Sequence, residues 1–224
     1  MNLYLFILEN KFIFEILYAL IIASICSLIV MKTDKIYGLS SHQGIRYFRN
    51  AFLFFGIAFL ARYIFGVFSD MSWSYPYLVQ IAFEYFLIMA GFFLLYSLIW
   101  KKLNSKKVKN SLLNSKLIIF HLIALALAIT DSFLGNYFLM FSSQILIFIY
   151  ASIISFINFR KKGKEHKFLR FYFIAMLLSL IAWALNLLAA SVFQWNPMVL
   201  IQIGIINVTF FLLFLLGVIK FTSK

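Results

Sequence analysis

Acidic side chains are scarce in this chain: seven Asp and Glu stand against 20 Lys and Arg in 224 residues. Cysteine occurs once, as Cys26, so no disulfide can close within the chain. The two prolines, Pro76 and Pro197, both fall at the edges of apolar runs, where they break nothing. Charged residues make up 12%, about half the share of a soluble domain, roughly 25%. The three histidines, His42, His121 and His166, have no carboxylate or cysteine at metal-ligand spacing. No glycine-rich phosphate loop, nucleophile elbow or zinc signature is present. We therefore expect no catalytic residue, no metal and no cofactor.

Apolar residues are what the chain has instead, at 64%, with a mean hydropathy of +0.98. Seven runs, 12–31, 47–68, 77–100, 111–130, 137–159, 171–193 and 198–221, can each cross a ~30 Å hydrocarbon core as a helix. A β-barrel would alternate polar and apolar positions, and these runs are continuous. The sequence predicts an all-α protein of seven transmembrane helices forming one domain over residues 1–224. Segments 32–49, 101–116, 160–170 and 220–224 hold 18 of the 20 basic residues and all fall on one side of that path. By the positive-inside rule the N-terminus is outside and the C-terminus cytoplasmic. Residues 3–8 lack a basic region before them, which argues against a cleaved signal. An integral protein of a prokaryotic cell membrane is the expectation.

The net charge of +13 then has a membrane explanation: attraction of one face to anionic lipid head groups. A cytoplasmic protein partner could use the same loops. Aromatic residues are not interleaved with the basic clusters, so no nucleic acid is expected. A homo-oligomer is compatible with the pattern.

The chain repeats itself. Residues 23–29 read ASICSLI and residues 151–157 read ASIISFI. Beyond them an offset of 121 aligns Arg49 with Arg170, Ala61 with Ala182, Phe93 with Phe214 and Pro76 with Pro197. Residues 12–100 and 137–221 would be two parallel three-helix units, with the run 111–130 as an inverting linker carrying small residues at Ala124 and Ala128. This layout resembles the 3+1+3 plan of SWEET/PQ-loop carriers and of opsin-like seven-helix proteins. The Pro-Gln pairs of the former and the mid-helix retinal lysine of the latter are absent. The resemblance implies a ligand site between the two units.

Arg62 and Glu84 lie six or seven residues in from the outer ends of their runs, roughly 10 Å deep. Ionisable groups at that depth are costly unless paired or facing a cavity. Gln80, Gln144, Asn186 and Gln202 fall in the same half, above an inner half rich in Phe and Leu; Trp183 shares a face with Asn186, and Asn207 lies deeper and angled away, and both complete the candidate set. Two readings follow. Arg62 and Glu84 neutralise each other and fix helix register, or the set forms an outward polar pocket. In the second, Arg62 contacts an anionic group such as a carboxylate, Glu84 orients it or carries a proton, and Asn186 and Gln202 add hydrogen bonds. A receptor-like sensor acting through a separate cytoplasmic protein is the favoured function. A small-solute carrier and a structural or assembly subunit are the alternatives.

Overall fold

A computed structural model describes residues 10–40, 42–65, 75–103, 112, 115–135, 137–162, 167–192 and 197–222. Among them are seven α-helices and no strand: α1 Lys11–Ser40, α2 Gln43–Leu60, α3 Tyr75–Leu103, α4 Ser115–Leu134, α5 Phe138–Lys162, α6 Lys167–Ser191 and α7 Pro197–Thr222. A π-helical segment, Ala61–Phe65, continues α2. The end of the bundle where α1 begins is called upper below.

Six helices are long and apolar enough to cross a bilayer, which makes this an integral membrane protein. The exception is α2, whose first turns carry Gln43, Arg46, Arg49 and Asn50 and dilute its hydropathy. It is nevertheless deeply enclosed, with Phe48, Phe52, Phe55 and Phe59 all buried. Both prolines sit in first turns, Pro76 second in α3 and Pro197 first in α7, where a missing N–H costs no helical bond.

Two boundaries differ from the sequence reading. The 32–49 segment is not a loop, because α1 runs on to Ser40 and α2 resumes at Gln43. Nothing breaks the helix before Gly38: the Thr33 hydroxyl donates to the Ile29 carbonyl, and Asp34 pairs with Arg49 across the α1–α2 corner. The second difference moves Asp131 from an outer loop into the last turn of α4, fully buried. The helix ends beyond it at Gly135, which adopts φ +67° and donates its N–H to the Asp131 carbonyl at 3.0 Å. Only glycine takes that left-handed turn without strain.

Neighbouring helices form a closed ring, α1 beside α2, α2 beside α3, α3 beside α5, α5 beside α6, α6 beside α7 and α7 beside α1. Helix α4 lies outside it against α3 and α5, with the expected small residues Ala124 and Ala128 buried. Aromatic side chains fill the ring. Phe52 meets Phe214 at 5.1 Å, Phe55 meets Phe211 at 5.4 Å, and Phe48 meets Tyr172 at 5.7 Å, so α2, α6 and α7 touch through rings in the middle and lower bundle.

Candidate ligand site in the upper half

Arg62 sits in the π-helical segment, a local widening of the helix that often marks functional positions. Its guanidinium carbon lies 4.7 Å from the Phe83 ring of α3, 5.2 Å from the Tyr137 ring ahead of α5 and 5.6 Å from the Tyr63 ring. Aromatic faces attract a cation through their quadrupoles but accept none of its five N–H donors in the ordinary way. The side chain is half-buried and makes neither a hydrogen bond nor an ion pair to a described residue.

Glu84 does not pair with Arg62. Successive helical residues diverge by 100°, so while Phe83 faces Arg62, Glu84 turns away from it. The carboxyl is fully buried; its Oε1 accepts a 2.8 Å bond from Gln80 Nε2, and its Oε2 has no partner. Arg62 and the buried Asp131 both remain within electrostatic range of it. Arg62 in turn lies within range of Glu15 on α1. The charged interior therefore holds more than the two groups legible by depth.

Gln144 of α5 meets the same face of α3. Its Nε2 donates to the Leu87 carbonyl at 2.9 Å, and its fully buried Oε1 is unpartnered. The carbonyl fixes the amide orientation, since only the NH₂ end can serve it. Gly91 makes this approach available: a Cβ there would stand 2.8 Å from Gln144 Oε1. Trp183 of α6 is buried between Phe141 and Phe148, one turn either side of Gln144, at 6.2 and 6.5 Å. Its indole N–H also lacks a partner.

The remaining expected site residues separate from this group. Asn186 donates to the Ala182 carbonyl of its own helix at 2.8 Å. Asn207 donates to the Tyr18 hydroxyl at 2.9 Å, tying α7 to α1. Gln202 is exposed, because α7 buries the opposite face through Ile203, Phe210, Phe211 and Phe214. It is no part of an interior pocket here. An open groove of about 400 Å³ on the outer surface near the π segment is apolar, lined by Ile57, Leu60, Ala61, Leu78, Val79, Ala82 and Phe86.

Three features escaped the sequence reading. Tyr137 belongs to the Arg62 enclosure, and only its place two residues after the αL Gly135 hinted at that. Asp131 accepts N–H bonds from Leu139 at 3.1 Å and Met140 at 2.8 Å, capping α5 from the preceding helix. Of the histidines, His121 bridges Tyr85 (2.7 Å at Nδ1) and the Leu112 carbonyl (2.9 Å at Nε2). A carbonyl only accepts, so Nε2 carries the proton and Nδ1 takes the tyrosine's. Among the described residues no three His, Cys, Asp or Glu cluster as metal ligands.

An uncharacterized protein of Archaeoglobus fulgidus is 28% identical to this chain over 195 residues, covering 82% of this chain and 81% of its own length. No protein-family model and no solved structure matches the chain.

Proposed function

We propose that this chain is a seven-helix protein of a prokaryotic cell membrane that binds a small anionic ligand at Arg62 and reports it through basic cytoplasmic loops to a separate protein. The observation that carries this reading is Arg62 itself: a membrane-buried cation walled by three rings, with donors left over. A guanidinium in that state gains most from an anion that takes two donors at once, as a carboxylate does. The upper end is extracellular on this reading, since the basic Arg160 and Lys161 stand in the last turn of α5, at the other end. A cytoplasmic partner would meet the basic loops, and anionic head groups would meet the same face. The aromatic filling of the middle bundle supports sensing over passage, since rings of α2 and α7 meet inside it.

A carrier is the second reading, and the ring of neighbours supports it. Under the 121-residue repeat, contact α1–α2 maps to α5–α6, α2–α3 to α6–α7, and α3–α5 to α7–α1. Helix α4 then falls outside as the linker, as a parallel-repeat transporter would have it.

The test is a thermal-shift screen of purified protein in detergent against small carboxylates, phosphates, sugars and amines, beside Arg62→Gln. A ligand at 100 times its dissociation constant adds about 2.7 kcal/mol and moves the melting point visibly. A carboxylate hit that Arg62→Gln removes supports the site, and flux into liposomes holding only this protein then separates carrier from sensor. Silence from every carboxylate and phosphate, with Arg62→Gln folded, refutes it.

A further inference from the structure

The Arg62 reading leaves Glu84 unexplained. A carboxylate oxygen with no partner, at zero exposure in a membrane interior, is a strong demand for a donor. Gln80 already serves Oε1, and Arg62 is held away over the Phe83 ring. The same α3–α5 seam carries a second unpartnered acceptor, Gln144 Oε1, whose identity as oxygen is fixed by the Leu87 carbonyl. Two orphan acceptors, one of them a carboxylate oxygen, call for a group rich in donors and free of acceptors. A protonated amine is that group: three N–H donors, one positive charge and no lone pair.

Charge balance points the same way. Arg62 lies within electrostatic range of Glu15 and of Glu84, and Glu84 within range of Asp131. A simple anion would bring a further negative charge to this assembly. A ligand with both signs brings no net charge, and its two ends would be taken by groups that do not pair with each other, because Phe83 and Glu84 leave α3 100° apart.

We propose that the ligand of the Arg62 site is a small zwitterion, its anionic group on the Arg62 guanidinium and its protonated amine on Glu84 with Gln144 beside it. This rests on the Arg62 reading and adds the second anchor. Gln80, half-buried one turn above Glu84, is the side chain whose displacement opens the carboxylate to the amine.

The experiment is calorimetric titration of the full chain in detergent with a length series of ω-amino acids, from glycine to 5-aminopentanoate. Each runs beside the carboxylate and the alkylamine of the same carbon number. At least one ω-amino acid should bind ten-fold or more tighter than both of its monofunctional analogues. Glu84→Gln should reduce it to the carboxylate's affinity, and Arg62→Gln to the amine's. If the carboxylates bind as tightly as the amino acids, the zwitterion is wrong while the anion site stands. If no probe of any class binds, both fall. The comparison within the native chain decides the matter even where a variant does not fold.

Discussion

Asp131→Ala offers the clearest check on how the upper bundle is held. The carboxylate is fully buried and accepts two backbone N–H bonds from the first turn of α5, one to each oxygen. Those amides have no partner inside their own helix, and the positive end of the helix dipole favours a negative charge there. Hydrogen bonds to a charged group contribute about 1.5–3 kcal/mol, and replacing a capping residue by alanine typically costs ~0.5–2 kcal/mol. Water reaching the vacated turn would restore part of this, so we expect a net loss of about 2–3 kcal/mol. For a chain of this size that lowers the melting point by on the order of 5–10 °C. Asp131→Asn should lose nearly as much, since its NH₂ must face one of the two N–H donors. Asp34→Ala is the control: its partner Arg49 is also at the surface and its own side chain is 61% exposed, which limits the loss to under about 1 kcal/mol. Thermal unfolding of the three variants in one detergent decides it. If Asp131→Ala melts together with Asp34→Ala, the cross-helix cap does not hold α4 to α5.

Gly91→Ala should destabilise by about 1–2 kcal/mol, although alanine is the better helix former, because its Cβ displaces the Gln144 amide from Leu87. In mixed-micelle unfolding, Gly91→Ala with Gln144→Leu should then be no worse than Gln144→Leu alone; additive losses would show that the glycine matters for another reason. Ser152→Ala and Ser155→Ala should leave stability unchanged or raise it, since both hydroxyls are buried without a partner. A loss above about 1 kcal/mol in either would contradict that.

Depth and helical period were legible in the sequence, and side-chain partners were not. Hydropathy located the six long apolar helices among the described residues, because it depends on a sum over about 20 residues. Boundaries drifted where a single local interaction decided them. The Asp34–Arg49 pair lies 15 residues apart in sequence, and nothing in a window around either residue announces that α1 continues to Ser40. The αL glycine at 135 was readable as a stop, yet the same glycine moves Asp131 inside, which a count of charges by loop does not reveal.

The Arg62–Glu84 expectation failed for a geometric reason with consequences for function. Equal depth on consecutive antiparallel helices places two residues at one level, but rotation about each axis decides whether they meet. Phe83 occupies the direction toward Arg62, so the two charges end on different sides of α3. Had they met, each would have satisfied the other and a purely structural role would have sufficed. Held apart, the guanidinium keeps unused donors and the carboxylate keeps an unused acceptor, in a medium where either is expensive. Gln202 makes the converse point: it shares the level of the site and shares no face with it, and so contributes nothing to the interior. A group of polar residues at one depth is thus only a list of candidates. The rotation of each helix selects from it, and here it leaves the guanidinium and the carboxylate without each other.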